Sequence, residues 1–248
     1  MRRVLVLAAA SAALTVAVPA VAITEAELDG NGHASVGALI GHPPGGGLDI
    51  ACSGFLVRPR VLVTAGHCTY GLAKEPEAPL VTFDPVFDPD TANLFPAKKL
   101  VTHPAFDPIT LKNDVGIVTL EERVRGVDPI DLPTADLLGE MRRSKTLPDT
   151  LTMVSYGVFV DCSVHPCAFV FDGARRVASA GMGVVQKDFF FVRNGVCSHD
   201  SGSPLLLPGT GTSVGVTTAA FGCAKTGGAQ RLDTPAARSF LDDFVTLP

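Results

Sequence analysis

Short runs rich in Val, Ile, Phe and Thr recur along the chain, each cut off by glycine, proline, asparagine or aspartate: "SVGALI", "FLVRPRVLVTA", "VGIVTL", "LTMVSYGVFV", "VVQKDFFFVR", "PLLLP" and "SVGVTTAAF". Runs of this length and composition suit strands, and the punctuation suits turns. Only two stretches predict helices. Thr134 can cap the first, over 134–143. Thr234 can cap the second, "TPAARSFLDDFV", where Pro235 suits the first helical position and Ala237, Phe240, Leu241 and Phe244 fall on one face. Many strands with a terminal helix predict an all-β barrel or sandwich. No fixed-period repeat is present, and "PPGGG" at 43–47 predicts a surface turn.

The first 22 residues do not belong to that pattern. Met1-Arg2-Arg3 is followed by "VLVLAAASAALTVAV" and then Ala20-Val21-Ala22. A positive start, a short alanine-rich apolar segment and an A-x-A site predict a secretory signal peptide over 1–22, leaving a domain at 23–248. The expected product is secreted and extracellular, without stable membrane association once the signal is removed. The 248-residue chain carries a net charge of −5, with no basic footprint for nucleic acid. Loss of Arg2 and Arg3 takes the mature charge to −7.

The six cysteines, Cys52, Cys68, Cys162, Cys167, Cys197 and Cys223, all lie beyond the signal. An even count in an oxidising compartment predicts disulfides, but six cysteines admit 15 pairings and spacing does not choose among them. None of the spacings matches a zinc site, so neither a metal nor a cofactor is expected.

Three segments carry groups capable of chemistry: "CSGFLVRPRVLVTAGHC" (52–68), "NDVGIVTL" (113–120) and "CSHDSGSP" (197–204). A lone His, an Asn-Asp turn and a Ser-Gly-Ser loop each have an ordinary structural explanation. Together they supply a base, an orienting carboxylate and a nucleophile, in the order His67, Asp114, Ser201. A serine hydroxyl needs a neighbouring imidazole to take its proton, and the imidazole needs a carboxylate to fix its tautomer. The order is neither that of subtilisin nor that of the α/β-hydrolases, and the G-x-S-x-G elbow is missing.

With "VTAGHC", "HPAFDPITLKNDVGIVTL", "DSGSP" and "VGVTTAAFGCA" in this order, the chain resembles the trypsin/chymotrypsin-like serine proteases, especially their small secreted bacterial members. The resemblance spans nearly all of 23–248. It implies two six-stranded antiparallel β-barrels with a C-terminal helix, and a monomeric endopeptidase acting on protein or peptide substrates. It implies disulfides Cys52–Cys68 and Cys197–Cys223, with Cys162 and Cys167 left to pair. It places the backbone N–H groups of His199 and Ser201 in an oxyanion hole. It also pairs the new amine of Ile23, freed by cleavage after Ala22, with Asp200.

Several positions depart from that pattern. His199 stands where glycine supplies a positive φ, and Ser203 where a second glycine packs closely. A histidine tolerates positive φ better than most residues. A flipped peptide there would remove one oxyanion donor, a loss of about 10²–10³ in rate. Gly195 falls at the pocket base without an acid. Ala220 and Gly228 fall on its walls, Ala219 replaces a large aromatic, and Thr218 a serine that supports the catalytic aspartate. Together these imply a small-to-medium apolar P1 residue. Glu25-Ala26 replaces the usual Gly-Gly behind the new terminus. Two other readings stand beside an endopeptidase: a protease-fold pseudoenzyme that binds a protein or glycan, and an esterase using the same triad.

Overall fold

The computed structural model describes residues 26–161, 163–193, 196–223 and 225–248. Six antiparallel strands close the first barrel: β2 (Val36–Gly41), β3 (Asp49–Arg58), β4 (Val61–Thr64), β5 (Leu80–Thr82), β6 (Leu94–Thr102) and β7 (Gly116–Leu120). Their order around it is β2-β3-β4-β7-β6-β5. The second sheet contains β1 (Glu27–Leu28), β8 (Thr150–Ser155), β11 (Arg176–Val185), β12 (Phe189–Arg193), β13 (Pro204–Leu206), β14 (Ser213–Ala220) and β15 (Thr226–Arg231). It runs β1-β11-β12-β15-β14-β13-β8, and β8 pairs back onto β11, so six of its strands close a second barrel. Outside both barrels, β9 (Phe159–Asp161) and β10 (Ala168–Val170) form a hairpin. This is the trypsin-like fold that the resemblance implies.

Each barrel is filled by its own apolar set. Leu39, Phe55, Leu62, Val81, Ile117 and Val118 fill the first, and Met153, Ala180, Phe190, Val192, Leu205 and Val214 the second. Burial is nearly continuous along β2, β4, β7, β13 and β14, so both faces of these strands are covered. The C-terminal helix α3 (Pro235–Leu241) starts as the sequence predicts: Thr234 Oγ1 accepts from the Ala237 N–H at 3.3 Å, and Pro235 follows it. Ala237, Phe240 and Leu241 are buried against the first barrel's core, while Phe244 lies beyond the helix end.

Four expectations about elements are corrected. The helix expected from Thr134 is α2 (Leu137–Ser144), with Asp136 rather than Thr134 at its N-cap position. "LTMVSYGVFV" is not one strand: β8 ends at Ser155 and β9 begins at Phe159. The break follows from Gly157, where a Cβ would lie 1.8 Å from Asp200 Oδ1, so the chain must bend around that carboxylate. "VVQKDFFFVR" is not one strand: it holds the end of β11, a turn over 186–188 and all of β12, the turn closed by Gln186 N–H donating to Phe189 O at 2.7 Å. A helix beyond the two expected, α1 (Gly66–Leu72), follows "VLVTA".

Arg175 ties the barrels together. It is fully buried, and its guanidinium donates to Asp29 Oδ2, Gly30 O, Val36 O, Phe83 O and Tyr156 Oη at 2.5–3.1 Å. Val36 belongs to the first barrel and Tyr156 follows a strand of the second. Arg175→Met should therefore lower the unfolding free energy by about 3–5 kcal/mol, because it leaves the buried Asp29 carboxylate with His33 alone and strands several buried carbonyls without their donor. Urea denaturation measures this, and a loss under about 1 kcal/mol would contradict the assignment.

Candidate active site

Asp114 precedes β7, and its carboxylate is fully buried. Its Oδ1 accepts the His67 backbone N–H at 2.6 Å, and its Oδ2 lies 2.9 Å from His67 Nδ1. One carboxylate thus grips both the first turn of α1 and the imbedded ring's inner nitrogen. That geometry points His67 Nε2 outward, and the His67 side chain is 30% exposed. The Asp114 N–H is held in turn by Gln230 Oε1 at 3.3 Å. Gln230, a buried β15 residue, was not among the sequence candidates, and no motif marks it.

The Cys52–Cys68 disulfide fastens α1 to β3 beside this pair, and Cys197–Cys223 fastens the serine loop to the segment after β14. The sulfurs of Cys52 and Cys68 lie close to a His67 ring nitrogen, within a 4.8 Å group. Joined in a disulfide they offer no thiolate for a metal. Cys162 lies outside the described residues, as do Ile23 and Gly195.

Ser201 comes from the second barrel and is tied to the first. The Ser53 N–H of β3 donates to Ser201 O at 2.8 Å, and Gly202 N–H donates to Thr217 O at 2.8 Å. Gly202 has φ 85°, and a Cβ there would lie 2.1 Å from Ser53 O, so only glycine lets the loop approach β3 this closely. Ser53 is adjacent to Cys52, which brings Ser201 to the strand that also anchors α1. Among the described residues no hydrogen bond closes the gap from His67 Nε2 to Ser201 Oγ. In resting hydrolases such contacts are often long and tighten with substrate.

His199 takes φ 68°, the left-handed conformation that its position requires. Ser198 O accepts from Val158 N–H at 2.9 Å. In a trans peptide the N–H opposes the C=O, so the His199 N–H points away from Val158. Neither this N–H nor that of Ser201 donates to another described residue. Ser203 fits where glycine is usual because its hydroxyl finds Thr217 Oγ1 at 2.8 Å.

On the pocket side, Ala219 and Ala220 of β14 pair with Gly228 and Gly227 of β15. Gly227, absent from the sequence candidates, makes the closer approach: a Cβ there would lie 2.4 Å from Val196. The Cβ of Gly228 would face Phe221 instead, at 3.7 Å. The two residues point to opposite faces of the strand, as neighbours must. The Thr218 hydroxyl turns back onto Val216 O at 3.3 Å instead of reaching Asp114.

Asp200 is buried behind the serine. Burial pushes its carboxyl up to about 7, although Ser155 Oγ and the Cys197 N–H donate to it at 2.5 and 2.6 Å and pull the other way. It shares a small cavity with Ser155, Gly157 and Ala26.

The Trypsin family model matches residues 30–237, and the chain belongs to that family. Among curated relatives it is 31% identical to mouse granzyme C over 91 residues, 36% of either chain. It is 31% identical to human granzyme B over 34% of either chain. The match to trypsin 5G1 of Aedes aegypti is longer, 27% identical over 71% of this chain and 68% of that one. The chain thus spans only about a third of the granzymes it matches first. These relatives are mammalian and insect, so the expected leaning towards bacterial members is not supported. Among solved structures, HL collagenase superposes with TM-score 0.65 at 17% identity, covering 90% of this chain and 96% of that one. A mutant of human heparin binding protein superposes with TM-score 0.63 at 16% identity, covering 84% and 90%.

The state of Asp200 has a measurable consequence. Its folded-state value lies above that of an unfolded aspartate, so the folded chain binds more protons between about pH 4 and pH 7. Stability should fall as pH rises through that window while no cation faces the carboxylate. In the chain that keeps residues 1–22, Asp200→Asn should flatten this decline in thermal melts from pH 4 to 8. Parallel slopes for the two proteins would contradict it.

Proposed function

We propose that this protein is a secreted serine endopeptidase in which His67, Asp114 and Ser201 form the catalytic triad. The observation that carries the reading is the double grip of Asp114 on His67, at 2.6 Å to the backbone N–H and 2.9 Å to Nδ1. Such a grip fixes the tautomer that leaves Nε2 free to accept a proton. Ser201 Oγ attacks the scissile carbonyl as His67 Nε2 takes its proton. The N–H groups of His199 and Ser201 receive the developing oxyanion. His67 then returns the proton to the leaving amine, and water, deprotonated by His67, hydrolyses the acyl-enzyme.

Activation fits the same geometry. Ala26 lines the cavity that holds Asp200. An amine at Ile23 is three residues upstream, a reach of roughly 10 Å. Signal peptidase cleavage after Ala22 would therefore deliver the cation that the Asp200 carboxylate lacks among the described residues.

Val196 opposite Gly227, with Ala220 beside them, favours a small-to-medium apolar P1 side chain. A Lys or Arg side chain would enter without a counter-ion on those walls. Alanyl, valyl or leucyl P1 substrates should exceed lysyl ones by at least about 100-fold in kcat/KM. A preference for lysine would overturn the pocket assignment.

A fluorophosphonate probe tests the triad. The protein starting at Ile23 should label, Ser201→Ala should not, and Asp114→Asn should slow the reaction by about 10⁴. Absence of labelling in folded protein with that terminus would point to a binding role instead.

A further inference from the structure

The serine loop carries a histidine at a position whose backbone favours glycine, and the structure holds that residue at both ends. His199 has φ 68°, unfavourable for any residue with a Cβ. No described residue hydrogen-bonds its ring, and Nδ1 is buried without a partner. What contacts the ring is Phe171, stacked at 4.5 Å between centroids and 21° between planes. At the other end, the carbonyl of His199 accepts from Ser53 Oγ at 3.2 Å, and that buried hydroxyl itself accepts the Tyr156 N–H at 3.0 Å.

Phe171 does not sit on a loose loop. It follows β10, and the next residues are laced to the first barrel: Phe87 N–H donates to Gly173 O at 2.9 Å and Arg175 N–H donates to Pro85 O at 2.8 Å. The ring is therefore presented to His199 by a segment fixed at its far end. Stacked aromatic pairs favour their contact geometry by roughly 2- to 10-fold in population.

We propose that Phe171 is a positioning residue: together with Ser53 it clamps His199 in the left-handed conformation, so that a histidine does here what glycine does by its own freedom. This rests on the proposed function, because the peptide so held supplies the His199 N–H to the oxyanion. The clamp makes Phe171 matter only because residue 199 is a histidine. Loss of a stacked pair that only stabilised the fold would lower the melting temperature in the histidine background without changing kcat or the labelling rate.

The experiment is a double-mutant cycle of Phe171→Ala and His199→Gly on the protein starting at Ile23. It is read by the rate constant of fluorophosphonate labelling and by backbone hydrogen exchange over residues 198–203. With His199 present, Phe171→Ala should slow labelling about 3- to 10-fold, lower kcat on a peptide substrate, and leave KM within about twofold. Phe171→Tyr should keep the wild-type rate within about twofold. With glycine at 199, Phe171→Ala should change labelling less than about twofold, and exchange at Gly202 and Ser203 should quicken only in the histidine background. Equal effects of Phe171→Ala in both backgrounds, or none in either, would overturn the clamp. If the wild-type protein does not label at all, the proposed function fails, and the exchange pattern alone decides for or against the clamp.

Discussion

The site depends on one seam. The Ser53 amide donates to the Ser201 carbonyl at 2.8 Å, and this bond joins a strand of the first barrel to a loop of the second. His67 and Asp114 belong wholly to the first barrel, and Ser201 belongs to the second. Gly202 allows the seam to close, since a Cβ there would collide with Ser53 O, and the Ser53 hydroxyl extends it to the carbonyl of His199.

Two buried aspartates serve the seam in opposite electrostatic circumstances. Asp114 faces the donors of His67 and fixes a ring. Among the described residues Asp200 faces only a serine hydroxyl and a backbone amide, and burial pushes its carboxyl up to about 7. An anion in that cavity needs a cation that the described residues do not provide, and the amine proposed at Ile23 would supply it. The same carboxylate explains the bend at Gly157, which ends β8 and starts the hairpin leading to Phe171. Loop shape, ionisation and the setting of His199 are therefore linked through one buried side chain.

The barrels were legible because their strands are short runs rich in Val, Ile, Phe and Thr cut by turn residues, and α3 because Thr234 and Pro235 mark its start. Strands without that signature were missed in whole or in part: β6 carries Pro96 and two lysines, and half of the β11 residues are Ala, Gly or Ser. Their pairing comes from neighbours across the sheet, which no local window contains. The motifs "TAGHC", "NDVGIV" and "DSGSP" made His67, Asp114 and Ser201 visible as candidates. Gln230, Ser53 and Phe171 were invisible for a physical reason: each acts on a residue more than 25 positions away. Gly227 and Gly228 show the finer limit. One residue along a strand reverses the face, and only the close approach to Val196 separates them.

The central claim is that Ser201 is an activated nucleophile, and pre-steady-state kinetics tests it most directly. Mixing the protein that begins at Ile23 with an activated apolar ester should release a burst of leaving group close to one equivalent, followed by slow turnover as the acyl-enzyme hydrolyses. Ser201→Ala should abolish the burst. Linear release with no burst from folded protein with that terminus, equal in rate to its Ser201→Ala variant, would contradict the account.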